Sequence, residues 1–414
     1  MPSVTDRARP SARFVLLMGA MAALPAITTD MYLPSLPDVV TDLDTTPTLV
    51  QATITGVLLG GAVGQLLVGP LTDRYGRRAP VLVGITIHVI TSVLCMLTPG
   101  IWPLLVLRLI QGIGNAAAMT SAMAVVRDRY TGSGASVILS RMMLVVGVAP
   151  LFAPTVGSLV AGVAGWRAVF AVLGLAGLGL GVVVWRFLPE TLPPERRLHE
   201  PLGATFRGYG ALLTDSSFMA LAVLPGLGLG VIMSYVAGSP FVLQQGYGLS
   251  ENEFALVFAV NGAGLVLGSQ INASMVRRFP PLTIMRVTVP TTLALAVVLI
   301  VMAATGTGGL IGLLTPLWFL LAVNSLLMPN ASALALSLHG ERAGSAAALI
   351  GSMQAGLAGL VSPVVGVLGE DAVAMSTVIL GVCLVAFLVL LVATPAYRPG
   401  AGRRTGPTTD GPIA

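Results

Sequence analysis

Gly69-Pro70-Leu71-Thr72-Asp73-Arg74-Tyr75-Gly76-Arg77-Arg78 sets four charges between two apolar runs, each long enough to cross a bilayer. Glycine adopts backbone conformations that other residues avoid, so Gly69 and Gly76 are expected to bracket a tight connection. The arginines bias that connection towards the cytoplasmic side of a membrane. An ordinary positive-inside loop would need only the charge. The spacing G-x-x-x-D-R-x-G-R-R is more specific than that.

The surrounding chain is solvated mainly by lipid. Of its 414 residues 55% are hydrophobic and 9% charged, with a mean hydropathy of +0.91. A soluble protein carries about a quarter charged residues. All 22 basic residues are arginine and they are spread over many short loops, so the net charge of +5 forms no nucleic-acid-binding face. Cys95 and Cys383 fall in apolar runs, and His88, His199 and His339 are scattered. That pattern gives no disulfide framework and no metal-ligand spacing, so neither a metal nor a cofactor is expected. Arg7, Arg9 and Arg13 precede an apolar run as in a signal peptide, but the run continues to about Leu33 and more follow. It reads as an uncleaved first helix.

Apolar windows of about 20 residues lie near 14–36, 49–70, 79–98, 102–126, 137–164 and 168–188, then near 217–240, 253–274, 282–303, 308–333, 343–368 and 373–395. The fold class expected is therefore an all-α integral membrane protein with twelve transmembrane helices in two halves. The first half covers 1–188, a cytoplasmic linker 189–215, the second half 216–395, and a disordered cytoplasmic tail 396–414. Pro189, Pro193, Pro194 and Pro201 with at least six charges make the linker too polar to span.

With both termini inside, 20 of the 22 arginines fall on the cytoplasmic side, leaving Arg167 outside and Arg108 within a span. The positive-inside rule strongly favours that orientation. The outer loops carry Asp38, Asp42, Asp44, Glu251, Glu253, Glu370 and Asp371. The halves also repeat weakly: Ala153-Pro154-Thr155-Val156-Gly157 matches Ser362-Pro363-Val364-Val365-Gly366, and Gly114-Asn115-Ala116 resembles Pro329-Asn330-Ala331. Repeated halves point to a transporter with its site between them near the midplane.

On these residues the chain resembles the major facilitator superfamily, and within it the drug/proton antiporters of the bicyclomycin and chloramphenicol resistance subfamily. Gly69 to Arg78 is similar to the superfamily's loop motif after the second span. Arg108-Leu109-Ile110-Gln111-Gly112 resembles a fourth-span motif linked to proton coupling. Ala149-Pro150 to Gly157 resembles the fifth-span motif of antiporters, carried here by Pro150, Pro154 and Gly157, although Ala153 stands where Gly is common. Thr29-Asp30-Met31-Tyr32-Leu33-Pro34 and Ser239-Pro240-Phe241 look like subfamily signatures in the first and seventh spans. The resemblance implies a cytoplasmic gate of Gly69, Asp73, Arg74, Gly76, Arg77, Arg78 and Arg127. In it Asp73 meets Arg127 and the start of the eleventh span near Gly344, where a helix dipole favours an anion.

Asp30 is the one acid placed well inside a span. An ionisable group at the bilayer centre costs about 2.5–3.5 kcal/mol on insertion scales, which asks for a reason. One reason is a capping role where Pro34 and Pro37 end the helix; the other is a proton carrier. Arg108 is its basic counterpart and is expected in the same layer, able to pair or compete with Asp30 across a cavity; the alternative is snorkelling to the headgroups. Gln111 and Asn115 continue one polar stripe from Arg108 at i+3 and i+7. Tyr32, Tyr235, Asn261, Asn330 and Gln354 complete the expected substrate cavity, each weighed against a role as interhelical glue.

The leading expectation is a proton-coupled exporter of small neutral or amphiphilic drugs, working as a monomer in the bacterial inner membrane. A metabolite transporter of the same fold is the alternative. A membrane sensor or intramembrane enzyme lacks any signalling domain or catalytic cluster in the sequence.

Overall fold

The computed structural model describes residues 11–130, 132–198, 202–339 and 342–393. The expected tail, 396–414, lies outside them, as do Arg7 and Arg9. Bilayer hydrocarbon offers no partner to a backbone amide, so each spanning segment satisfies its own backbone as a helix.

The described chain runs α1 (Ala12–Asp30), α2 (Leu36–Asp42), α3 (Pro47–Tyr75), α4 (Arg78–Met96), α5 (Ile101–Arg129), α6 (Gly132–Ala164), α7 (Trp166–Phe187) and α8 (Leu202–Leu213). It continues as α9 (Ser216–Pro240), α10 (Glu251–Met275), α11 (Pro281–Thr305), α12 (Gly309–Asn324), α13 (Leu327–Leu338), α14 (Ala343–Val361), α15 (Val364–Leu368) and α16 (Ala372–Ala393). A 3-10 turn, Leu33–Ser35, links α1 to α2, and a π turn, Phe241–Gly246, ends the span begun by α9. Counting broken helices as one, twelve segments are long and apolar enough to span a membrane.

The opening stretch is less of a loop than its glycines suggested. Gly69 and Pro70 lie inside α3, and only Gly76, at φ +90°, makes the turn into α4. The reason is length. α3 and α5 have 29 residues each, about 43 Å at 1.5 Å per residue, against about 30 Å of hydrocarbon. Each therefore carries its charged end well clear of the apolar window.

Gly76, the ends of α5 and α7, and the start of α14 gather on one face with Arg74, Arg78, Arg127, Arg186 and Arg342, here called the arginine face. Asp38, Asp42, Glu251 and Asp371 mark the opposite, acidic face. Helix α14 packs on α3 and α9, α10 packs on α6, and α6 packs on α1. The 189–215 stretch is not wholly extended: it contains α8, whose Tyr209 hydroxyl donates to the Leu66 carbonyl at 3.2 Å.

Candidate substrate pathway and coupling site

The two faces differ in closure. Near the acidic face three hydrogen bonds among the described residues tie the chain before 188 to the chain after 216. Thr48 Oγ1 donates to Gly366 O at 2.9 Å, Gln244 Nε2 to Pro34 O at 3.0 Å, and Ser158 Oγ to Asn252 Oδ1 at 3.4 Å. Towards the arginine face a cavity of about 780 Å³ opens between α3, α5, α13 and α14. Its polar lining includes Gln65, Asp73, Thr120, Arg127, Arg342 and Gln354. Cavities that hold drug-sized ligands span about 300–1,000 Å³.

Arg108 lies above this cavity's level in the interior of the first half, 0% exposed, which removes the snorkelling alternative. Its Nη1 donates to Gln111 Oε1 at 2.8 Å and to the Thr28 carbonyl at 3.3 Å. Its guanidinium sits 5.0 Å from the Tyr32 ring centroid and 5.5 Å from that of Phe170. Cation–π contacts of a desolvated arginine contribute about 2 kcal/mol each. Nε and Nη2 have no hydrogen-bond partner. The chain of bonds continues from Gln111 Nε2 to Ser92 Oγ at 2.8 Å and from Ser92 Oγ to His88 O at 2.7 Å.

His88, treated as scattered in the sequence, is the hub of that network. Its Nε2 lies 3.2 Å from Leu173 O, and its Nδ1 2.8 Å from Asn115 Oδ1. A carbonyl only accepts, so Nε2 carries the proton. Asn115 Nδ2 has no partner in this orientation. Turning the amide over presents its N–H to Nδ1 and satisfies both groups with a neutral ring. No sequence spacing marks a lone histidine on α4 for this place.

Asp30 and Arg108 are close in depth but do not pair. Asp30 is 6% exposed and makes no hydrogen bond or ion pair among the described residues. Helix geometry keeps the two groups apart here. Tyr32 faces Arg108, and Asp30, two residues earlier, lies about 200° around the helix. Beside it α6 approaches so closely that a Cβ on Gly157 would run into the Met31 carbonyl. Pro150 and Pro154 lie in the same helix.

Of the seven residues expected in the substrate cavity, Gln354 lines the one described. The other six are at most 2% exposed and bond within their own half. Tyr32 approaches Thr53, Gln111 and Asn115 belong to the network above, and Asn261 Nδ2 donates to Tyr235 Oη at 3.0 Å. Asn330 Nδ2 donates to Asn272 Oδ1 and to Leu326 O, both at 2.7 Å. Buried amides without water close on one another, which is why these face inwards.

The expected gate pairing is also corrected. Asp73 pairs with Arg77, not Arg127. Arg77 Nε in turn donates to Asp128 Oδ2 at 2.9 Å, and Nη1 to Thr72 Oγ1 at 3.1 Å. Arg77 is four residues after Asp73, one helical turn and a Gly76 bend away, so it reaches the acid first. Glu190 locks the turn: its carboxylate accepts from the N–H groups of Arg77 at 2.8 Å and Arg78 at 3.2 Å. Burial works against that charge, but the N–H groups of Leu192, Arg77, Arg78 and Thr191 together hold the carboxyl below its usual range. Arg74 and Arg78 make no ion pair among the described residues. Asp73 and Gly344 both line the cavity, with no hydrogen bond between them among the described residues.

The Major Facilitator Superfamily profile matches residues 18–363. The chain belongs to that superfamily. It is 35% identical over 364 residues, 87% of this chain and 90% of the relative, to the uncharacterized MFS-type transporter YdgK of Bacillus subtilis. It is 28% identical over 372 residues, 90% of this chain and 93% of the relative, to a bicyclomycin resistance protein homolog of Haemophilus influenzae. In fold it resembles a point mutant of the nucleoside transporter NupG with a TM-score of 0.73 at 12% identity, covering 93% of this chain and 100% of that one. This superfamily member is a multi-pass membrane transporter and not an enzyme.

Asp128 and Glu190 extend the bonded cluster around Gly76 of this superfamily transporter beyond the motif read in the sequence. The signal for Asp128 was its place in Arg127-Asp128-Arg129; for Glu190, a lone acid at the end of the sixth span. A half-exposed ion pair such as Asp73–Arg77 contributes up to about 1 kcal/mol. Asp73→Asn is therefore expected to slow turnover by about fivefold with substrate affinity nearly intact. Initial-rate transport beside equilibrium binding separates the two, and a matching loss of affinity would count against a gating role.

Proposed function

We propose that this transporter is a proton-coupled antiporter of the bacterial inner membrane that exports small neutral or amphiphilic compounds from the cytoplasm. The arginine face is taken as cytoplasmic by the positive-inside rule, which makes the arrangement inward-facing with both termini inside. The likeness to a bicyclomycin resistance homolog supports the substrate class.

The observation that carries the coupling is Asp30, a buried carboxyl without a partner, near an arginine with two unused N–H groups. Intramembrane ionisable groups mark proton and substrate pathways. In the inward-facing arrangement Asp30 is turned away from Arg108. A twist of the last turn of α1 brings the carboxylate to Nε and Nη2, where it releases its proton. Turning back, it takes up another. The three hydrogen bonds near the acidic face break when the cavity opens outwards, and Asp73, held to Arg77 within the first half here, meets the start of α14 when the arginine face closes.

Expression in an efflux-deficient strain tests the reading. Tolerance to chloramphenicol-like drugs is expected to rise and to be lost on adding an uncoupler. Raised tolerance that survives the uncoupler overturns proton coupling. An Arg78→Cys variant is expected to react with impermeant maleimide in inverted vesicles and not in intact cells; the reverse overturns the orientation.

A further inference from the structure

Among the described residues the arginine face holds more arginine than its acids engage; Glu195, exposed on the linker, makes no ion pair there and does not line the cavity. Asp73 and Asp128 are both taken by Arg77, Glu190 by backbone N–H groups, and Asp215 by His339 and the N–H groups of Ser217 and Phe218. Arg127, at the end of α5, and Arg342, at the start of α14, make no ion pair and no side-chain hydrogen bond among the described residues. Both line the 780 Å³ cavity, one from each half. The only acid among the lining residues is Asp73, already neutralised by Arg77, which lines it too. Thr120, Ser345, Gln65 and Gln354 add hydrogen-bonding groups, and Met119 and Met123 supply adaptable apolar surface. The first turn of α14 has no side-chain cap, so its N–H groups leave the same wall short of acceptors.

We propose that this cavity recognises amphiphiles bearing an anionic group, a carboxylate or phosphate, held between Arg127 and Arg342, and disfavours cations. The assignment rests on the transporter reading above and narrows its substrate class. An arginine fork suits planar carboxylates and phosphates in geometry as well as charge. Because the two arginines come from different halves, an anion between them draws the halves together at that end. A cation meets two unscreened like charges on entry. Two unit charges near 7 Å from the ligand in wet surroundings each change affinity by about two- to threefold, hence about fivefold to tenfold together.

Equilibrium binding to the purified full chain in phosphatidylcholine vesicles tests this without a proton gradient, so its failure and the failure of proton coupling are separable. Three radiolabelled probes on one scaffold are compared: an aryl carboxylate, its methyl ester and the matching aryl trimethylammonium. The carboxylate is expected to bind tightest and the ammonium weakest. In the Arg127→Gln/Arg342→Gln double variant the carboxylate-to-ester affinity ratio is expected to fall by about fivefold to tenfold. Arg127→Lys/Arg342→Lys is expected to keep most of the preference, and Arg127→Glu/Arg342→Glu to reverse it in favour of the ammonium. An unchanged ratio in the Gln double variant, or a wild type that prefers the ammonium, overturns the proposal. Added phosphatidylglycerol that displaces the carboxylate from the wild type alone identifies a lipid headgroup as the occupant and overturns the assignment to substrate.

Discussion

Asp30→Asn is expected to abolish uphill export while leaving the protein inserted in the membrane. The carboxyl is 6% exposed and has no hydrogen bond or ion pair among the described residues, so neutralising it breaks no contact that holds the fold. What it removes is the one acid inside the first span. A proton crossing 100 mV supplies about 2.3 kcal/mol, enough for a substrate gradient of about 50-fold. Without a titrating group that gradient collapses to about one while downhill exchange persists. Proteoliposomes with and without an imposed proton gradient make the measurement. Retained accumulation by Asp30→Asn would move the proton pathway elsewhere. His88, a buried imidazole in that interior, would be the first place to look.

Arg108→Lys is expected to fail as well, and for structural reasons that a charge count misses. The guanidinium stacks on Tyr32 and Phe170 and bonds to Gln111 and to the Thr28 carbonyl at 0% exposure. An ammonium lacks the planar face, so it loses most of the stacking, about 2 kcal/mol for each desolvated contact. It cannot hold one bond to Gln111 while keeping further N–H groups aimed elsewhere. The expected result is transport reduced at least tenfold at equal membrane abundance, with thermal stability lowered by several degrees. Wild-type transport in Arg108→Lys would mean that charge alone suffices. Arg108→Gln, which removes the charge too, is expected to lose coupled transport entirely.

Both predictions depend on how helices meet, and that divides what was legible from what was not. The twelve spans and the uneven placement of arginine were legible because hydropathy and charge act residue by residue against a fixed solvent. Asp30 and Arg108 stood out for the same reason. Their relationship did not. Depth along two helices placed them in one layer, but the azimuth of Asp30, about 200° from Tyr32, turns it away from Arg108. Gly69 read as a turn because glycine often is one, whereas α3 simply continues through it.

Sequence by itself determined that this chain crosses a bilayer in two sets of six helices and carries one acid and one arginine well inside its spans. A bilayer sorts segments by composition, so a one-dimensional string is enough. Tertiary structure alone decided that Asp73 meets Arg77, that His88 anchors the Arg108 network, and that Arg127 and Arg342 face a shared cavity without counter-ions among the described residues. A short side chain bonds to whichever group the crossing of two helices brings within about 3 Å, and that crossing is set by packing over the whole interface rather than by the residues that come to touch.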